Sequence, residues 1–348
     1  MTSQKTHSIT LQPGGDSFNV QEHESILDAA IRQGHNLPHS CRGGSCHSCK
    51  ARVTFGDFHY PNGTPWSLSE EDLVARQCLI CLAHADSDMQ IIAKAVETPA
   101  EIQIKRLPCR IEKKILLCHD VMALHLRLPR VEPFQFLAGQ YIDILLPDGR
   151  RRSFSIANPP HDAGLLEIHV RRVPDGSFTS QVFDALPERS LLRIEGPIGN
   201  FFVRKNQRRP IIMLGGGTGI APLLGMLRDL LENQDDHGVH LFWGARQTRD
   251  LYLHDHLLEM ASDYEQLMYS PVLSEAESGE NWKGRSGWVH EAVLEDYPNM
   301  SPFDVYMAGP PPMVEAAKLA FTDAGLAHEQ LFYDSFEFGA DVIQASMS

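Results

Sequence analysis

The chain has 348 residues, 43% of them hydrophobic, with 31 Lys+Arg against 45 Asp+Glu and a net charge of −14. That length exceeds one ordinary core and implies two or three domains, and the composition is that of a folded globular protein. No apolar run approaches the ~20 residues that cross a bilayer, so no membrane contact is expected. The opening MTSQKTHSIT lacks the apolar core of a secretion signal, which points to the cytoplasm.

The charge is uneven. Residues 1–97 carry 7 basic and 11 acidic side chains, residues 98–205 carry 16 and 12, and residues 206–348 carry 8 and 22. Two acidic segments around a basic one exclude nucleic acid, which needs a dominant basic face. The basic middle segment suits an anionic ligand such as a diphosphate, although solvated surface charge accounts for the counts equally well.

In chain order, HSITLQPGGDSFNV (7–20) reads as two strands about a Pro-Gly-Gly turn. SILDAAIRQG (25–34) has a Ser cap, apolar residues at helical spacing and a closing Gly, and predicts a helix. A strand is expected near Ala51–Phe55. The linker KAVETPAEIQIKRLP leads into alternating segments such as LLEIHVRRV, the pattern of an antiparallel sheet or barrel. From RRPIIMLGGGTGIAPLLGML onward, apolar strand, Gly-rich turn and helix repeat, which argues a parallel α/β sheet.

Between the first helix and the strand after it lies SCRGGSCHSCKARV (40–53), with Cys41, Cys46 and Cys49. A C-x4-C-x2-C spacing with a distant fourth Cys is the plant-type [2Fe–2S] arrangement. Gly43 and Gly44 allow backbone to approach the cluster closely. Zinc is the rival, but it favours paired cysteines of similar spacing over a three-plus-one set. On spacing alone, either Cys78 or Cys81 of RQCLICLAH closes the set. Cys109 and Cys118 read as core thiols.

CRGGSCHSCKARV resembles the ferredoxin loop of bacterial electron-transfer reductases. The family closes its cluster with Leu-x-Cys-x-Ala running to Ser-Asp, which LICLAHADSD (79–88) follows. The resemblance therefore implies Cys81 as fourth ligand and Cys78 as a bystander. RRSFSIANPP (151–160) resembles the Arg-x-Tyr-Ser motif of the ferredoxin–NADP reductase superfamily. That likeness implies Arg152 on a flavin phosphate, Phe154 against the isoalloxazine in place of Tyr, and Ser155 as the catalytic hydroxyl near the flavin N5. Ser153 and Val170 are implied to border the flavin. FLAGQYIDILLPDG is similar to the family's Gly-Gln-Tyr strand, GPIGNFF (196–202) to its barrel-closing stretch, and VRRVPDGSFTSQVF to its Gly-x-x-Ser/Thr helix start. Gly176 and Thr179 are then implied on the flavin pyrophosphate.

LGGGTGIAPLLGML, FWGARQTRDLYL and YMAGPPPMVEAAK recur at family-like intervals. They imply Gly217, Thr218 and Gly219 on the nicotinamide dinucleotide's pyrophosphate, Arg246 toward its adenosine, and Gly309 and Pro310 beside the nicotinamide. Ala308 stands where the family generally has Cys. The stretch WGARQTRD lacks the Ser-Arg pair that grips a 2′-phosphate, so NADH is expected, with Arg246 and Arg249 leaving NADPH open.

The resemblance implies a multidomain α+β and α/β chain. Its parts are a plant-type ferredoxin β-grasp domain at 1–97, a linker at 98–105, an antiparallel FAD-binding β-barrel at 106–205, a parallel α/β NAD(P)-binding domain at 206–338, and a tail at 339–348. FAD rather than FMN follows from that domain order. The implied activity is a reductase that passes electrons from NADH through FAD to a 2Fe–2S cluster and on to a protein acceptor, a deoxysugar dehydrase or oxygenase component. A monomer is expected. The competing readings are an electron-input subunit of a larger complex and a redox sensor.

Overall fold

The computed structural model describes residues 6–39, 42–44, 47–93, 102–129, 134–162, 164–174, 176–204, 208–233, 235, 237–276 and 282–336. The chain divides into two compact units between Ile104 and Lys105. Among the described residues no helix is long and apolar enough to cross a membrane.

In the first unit the strands Thr6–Gln12 and Ser17–Gln21 form the expected hairpin, with Ile9 opposite Phe18. The sheet runs Ser17–Gln21, Thr6–Gln12, Met89–Ile92, Lys50–Phe55, Gln77–Leu79, and the Thr6–Gln12 and Met89–Ile92 pair is parallel. Helix Ile26–Arg32 crosses one face. Ser25 caps it by accepting the Asp28 amide at 3.1 Å, a device worth about 1 kcal/mol. The helix buries Ile26, Leu27, Ala29 and Ala30 against Ile9, Phe18 and Ile91. Full burial of one such large aliphatic side chain contributes about 1.5–3 kcal/mol. This is the β-grasp expected of a plant-type ferredoxin domain.

The second unit holds two six-stranded sheets. The first runs Arg151–Ser155, Tyr141–Leu145, Leu191–Ile198, Lys105–Cys118, Val121–Arg127, Leu166–Arg171, with every pairing antiparallel. An Ile156↔Ile168 bridge joins its two edges into a barrel. The second runs Arg285–Ser286, Leu267–Leu273, Val239–Ala245, Ile211–Gly216, Asp304–Gly309, Leu331–Ser335, all parallel. Ile211–Gly216 and Asp304–Gly309 are buried at every residue, as strands covered on both faces must be. The chain enters this sheet at Ile211–Gly216, builds outward one way, then returns to build the other way. The strand order therefore reverses between Ile211–Gly216 and Asp304–Gly309, and ligands of open α/β sheets bind in the crevice at such a point.

Helix Ile220–Glu232 leaves that crevice and lies on the barrel. A Cβ at Gly225 would sit 3.1 Å from the Ile156 carbonyl and 3.2 Å from that of Asn158, so the helix and the end of the RRSFS strand meet backbone to backbone. His161 pairs with Glu232, and Arg228 Nη2 stands 3.6 Å from Asp162. The buried His169 ring bridges Glu167 Oε1 at 2.9 Å and the Tyr252 hydroxyl at 3.1 Å. Burial alone would raise the Glu167 pKa, but the His169 hydrogen bond and nearby cations hold it below the ordinary value. These contacts set the barrel against the nucleotide sheet in one arrangement.

Candidate functional site

Cys41 and Cys46 lie outside the described residues, so the cysteine loop is read from its flanks. Asp28, on the capped helix, pairs with the Arg42 guanidinium and pins the loop's start. Arg42, Gly44 and His47 have φ of 52°, 88° and 58°. Left-handed backbone is one means by which loops build anion-binding concavities, those of iron–sulfur sites among them. Gly44 also leaves Leu82 its place, since a Cβ there would stand 2.4 Å from Leu82 Cδ1. Ser67 Oγ donates to the Gly44 carbonyl and ties the loop down from the other side.

Antiparallel pairing of Lys50 with Leu79 draws the two cysteine segments together. Cys49 Sγ and Cys81 Sγ lie 3.1 Å apart and both residues are buried. Cys78 sits on the strand opposite Ala51. Burial, reinforced by the neighbouring Cys49, pushes its thiol up to about 12. Of the two candidates it is Cys81 whose sulfur stands beside that of Cys49. Two closely set, buried sulfur donors beside a loop with left-handed residues fit an iron–sulfur cluster.

In the barrel, strand alternation sorts the RRSFS side chains. Ser153 donates to Asp143 Oδ1 at 2.6 Å, and Arg151 pairs with Asp143 and Glu195. Arg152 and Phe154 fall on the opposite face, where Phe154 lies 5.8 Å from Phe178. Arg152 and Phe154 thus share one face of the strand, while Ser153 commits its hydroxyl to the other. Val170 is in the barrel core, which leaves its main chain for a ligand. Thr179 differs from expectation. Its hydroxyl is engaged within the preceding turn, accepting from the Val173 amide at 3.2 Å and reaching the Gly176 carbonyl at 3.2 Å. It shapes the entry to helix Ser177–Asp184 rather than projecting at a ligand, and an anion there would meet the helix amides.

The nucleotide loop is close-packed. A Cβ at Gly219 would stand 1.9 Å from the Ala308 carbonyl oxygen, and one at Gly216 would stand 2.9 Å from Pro310 Cδ. Gly309, at φ 153°, would place a Cβ 3.0 Å from Gly216 Cα. Gly217–Gly219 and Gly309–Pro310 therefore form one crevice at the carboxyl ends of adjacent strands. Helix Ile220–Glu232 starts there and turns its amides toward it. Arg246 is exposed at the end of Val239–Ala245.

The two domains of the second unit meet at Ser155. Its buried Oγ donates to Asp334 Oδ2 at 3.5 Å, and Asp334 pairs in register with Ala308. Asp334 was not among the residues singled out in the sequence. The signal for it is an acidic residue ending the apolar strand LFYDS, one strand beyond the AGPPP turn. So the catalytic candidate Ser155, the Ala308 position and a buried carboxylate share one place, at the switch-point crevice.

Known proteins bear directly on this arrangement. Residues 9–86 match the model for a 2Fe-2S iron-sulfur cluster binding domain, 108–203 that for an oxidoreductase FAD-binding domain, and 213–319 that for an oxidoreductase NAD-binding domain. The CDP-6-deoxy-L-threo-D-glycero-4-hexulose-3-dehydrase reductase of Yersinia pestis is 39% identical over 94% of this chain and 98% of its own. The chain belongs to the ferredoxin–NADP reductase superfamily. It is a three-domain ferredoxin/FAD/NAD reductase of that superfamily, an NAD(P)H-dependent flavin iron–sulfur oxidoreductase whose cofactors are FAD, a 2Fe–2S cluster and a nicotinamide nucleotide. The phenol hydroxylase P5 protein of Acinetobacter pittii is a further relative of this reductase, 33% identical over 97% of this chain and 96% of its own. An Amycolatopsis cytochrome P450 reductase has a similar structure, with TM-score 0.82 and 29% identity over 95% of this chain and 98% of its own.

Proposed function

We propose that this reductase draws electrons from NADH at the crevice between Gly217–Gly219 and Gly309–Pro310 and delivers them to a protein acceptor, a deoxysugar dehydrase or oxygenase component, through a cluster on Cys41, Cys46, Cys49 and Cys81. The observation that carries this reading is the junction of Ser155 with Asp334 beside Ala308, where the flavin face of the barrel reaches the nucleotide crevice. FAD, when bound, would supply the conversion a one-electron cluster requires, taking one hydride with its two electrons and releasing those electrons singly.

The residues divide the remaining work. Arg152 forks onto a flavin phosphate, and Phe154 supports the ring system. Gly176 and the amides of helix Ser177–Asp184 take the flavin pyrophosphate. Gly217, Thr218 and Gly219 carry the dinucleotide pyrophosphate at the start of Ile220–Glu232. Arg246 approaches the adenosine, while Gly309 and Pro310 leave room for the nicotinamide against Ala308. Asp334 accepts the Ser155 hydrogen bond and fixes the hydroxyl's direction. The ferredoxin domain ends near residue 97, the barrel spans 106–205 and the nucleotide domain 206–338. The protein acts as a cytoplasmic monomer and prefers NADH to NADPH.

Anaerobic reduction of the purified chain tests the reading. The account expects about one FAD and two irons per chain, and NADH-dependent reduction of both ferricyanide and cytochrome c without a second subunit. Zinc without iron or labile sulfide would overturn the cluster assignment. Turnover that appears only with a co-purifying protein would favour the electron-input subunit instead.

A further inference from the structure

The barrel strands Lys105–Cys118 and Val121–Arg127 are joined by a two-residue turn, His119–Asp120, with Cys118 opposite Val121. A thiol, an imidazole and a carboxylate follow one another there, and one ligand atom from each lies within 4.8 Å of the other two. Cys118 Sγ stands 3.3 Å from Asp120 Oδ1, and His119 Nε2 stands 3.8 Å from the same oxygen. A fourth donor comes from the nucleotide domain. Asp250 is buried in the short helical turn Thr248–Asp250 that follows strand Val239–Ala245, and its Oδ1 lies 3.8 Å from His119 Nε2. Each aspartate therefore turns Oδ1 to the imidazole and spends Oδ2 elsewhere. Asp120 Oδ2 is 2.9 Å from Arg171 Nε, and Asp250 Oδ2 accepts the Gln247 amide at 3.1 Å. Partners placed behind the donor atoms in this way fix the direction of metal-binding carboxylates.

We propose that Cys118, His119, Asp120 and Asp250 form a binding site for a thiophilic divalent cation such as zinc, which ties the barrel turn to the nucleotide domain. Zinc takes Cys, His and Asp donors at about 2.0–2.3 Å, and a tetrahedron of such bonds has edges of about 3.3–3.6 Å. The separations of 3.3 and 3.8 Å at Asp120 and of 3.8 Å at Asp250 are close to those edges. The His119 side chain, 43% exposed, gives a cation entry from solvent and room to adjust. Magnesium and calcium demand six or more oxygen ligands, which this set does not offer. Charge balances as well. A Cys118 thiolate and two carboxylates carry three negative charges, which zinc and the Arg171 guanidinium beside Asp120 neutralise. The thiol gives its proton to solvent as the Zn–S bond forms, with no change of oxidation state. The competing account is a hydrogen-bonded, ion-paired cluster that takes up no metal.

Calorimetric titration of zinc into the holoprotein at neutral pH, with iron and FAD content measured before and after, tests the proposal. The unsubstituted protein should take up a zinc that excess magnesium does not displace, with its iron retained. Cys118→Ser and His119→Gln should each weaken that zinc at least as much as loss of an outer-shell partner does, about 10- to 100-fold. Both variants should keep metal-free reduction of ferricyanide by NADH, which shows that they fold. Should Cys118→Ser fail to fold, His119→Gln decides the matter, since its side chain is half-exposed. Zinc should also raise the unfolding temperature of the unsubstituted holoprotein by more than that of Asp250→Asn, because Asp250 is the donor that spans the two domains. Absence of a zinc site, unchanged affinity in either ligand variant, or equal competition by magnesium would overturn the proposal in favour of the metal-free cluster. Zinc uptake matched by iron loss would mean displacement of the iron–sulfur cluster and would overturn it too. An equal gain in unfolding temperature with and without the Asp250 carboxylate would remove the tie between domains.

Discussion

The cysteine loop and the nucleotide loop both depend on glycine, for different reasons. At Gly44 the demand is local: φ is 88°, and the nearest atom to an added Cβ is a leucine methyl that can turn aside. At Gly219 φ is −60°, open to any residue. What forbids a side chain there is the Ala308 carbonyl, 1.9 Å away on the neighbouring strand. One site is shaped mostly by its own segment, with a single closing cysteine. The other exists only because strands distant in sequence lie side by side. Damage to the first should therefore stay within one cofactor, whereas damage to the second should reach everything downstream of it.

The sharpest break in that comparison is at the closing cysteine. Cys81→Ser should abolish the cluster's absorption and EPR signal and with them cytochrome c reduction, while NADH-dependent ferricyanide reduction persists through the flavin. Cys78→Ser should keep the cluster spectrum and register only in thermal stability. A cluster lost with Cys78 but kept without Cys81 would exchange the two assignments.

Glycine substitutions come next in size. Gly219→Ala forces a methyl onto backbone, and overpacking of this kind costs about 1–3 kcal/mol. NADH efficiency should fall roughly 10- to 100-fold by the usual conversion, with FAD content retained. Gly44→Ala should instead lower iron content and leave the ferricyanide reaction near its original rate. If both variants impair the same step, the two loops are not independent.

Asp334→Ala and Ser155→Ala should each slow flavin reduction by NADH, by about tenfold for a lost oriented hydrogen bond. The double variant should be little slower than either single, because residues that act as a unit are non-additive. Additive losses would separate Asp334 from Ser155.

The smallest effect on electron flow, and a control on the rest, lies at His240. It stacks 4.0 Å from Phe242 and bonds Tyr297 and Ser270. Burial lowers its pKa from 6.5 to about 4. The unfolded chain therefore takes up this proton first, and acid destabilises the fold between those values, by at most about 3 kcal/mol. His240→Gln should flatten the pH dependence of unfolding over that window without changing NADH turnover at neutral pH.

The same contrast explains what could be read from the amino-acid order. The Ser25-capped helix and the apolar runs of the parallel sheet are local patterns, and each matches an element of the structure; the cysteine spacing is a local pattern too, and it falls within the stretch that matches a 2Fe-2S domain. For Asp334 the local signal is slight, one acidic residue in an apolar strand. Its role comes from register with Ala308, which long-range packing produces. Thr179 shows the converse. Its Gly-x-x-Thr pattern promised a hydroxyl for an anion, yet the tight turn at Val173–Gly176 engages that hydroxyl first.

The central claim is the order of transfer, from nicotinamide to flavin to cluster. Rapid mixing of the oxidised holoprotein with NADH under anaerobic conditions, with flavin and cluster absorbance followed separately, tests it most directly. The account predicts that flavin bleaching precedes cluster reduction and that, in a Cys46→Ser variant, flavin reduction continues while cytochrome c reduction is lost. Cluster reduction ahead of the flavin, or undiminished cytochrome c activity in the cluster-free variant, would contradict it.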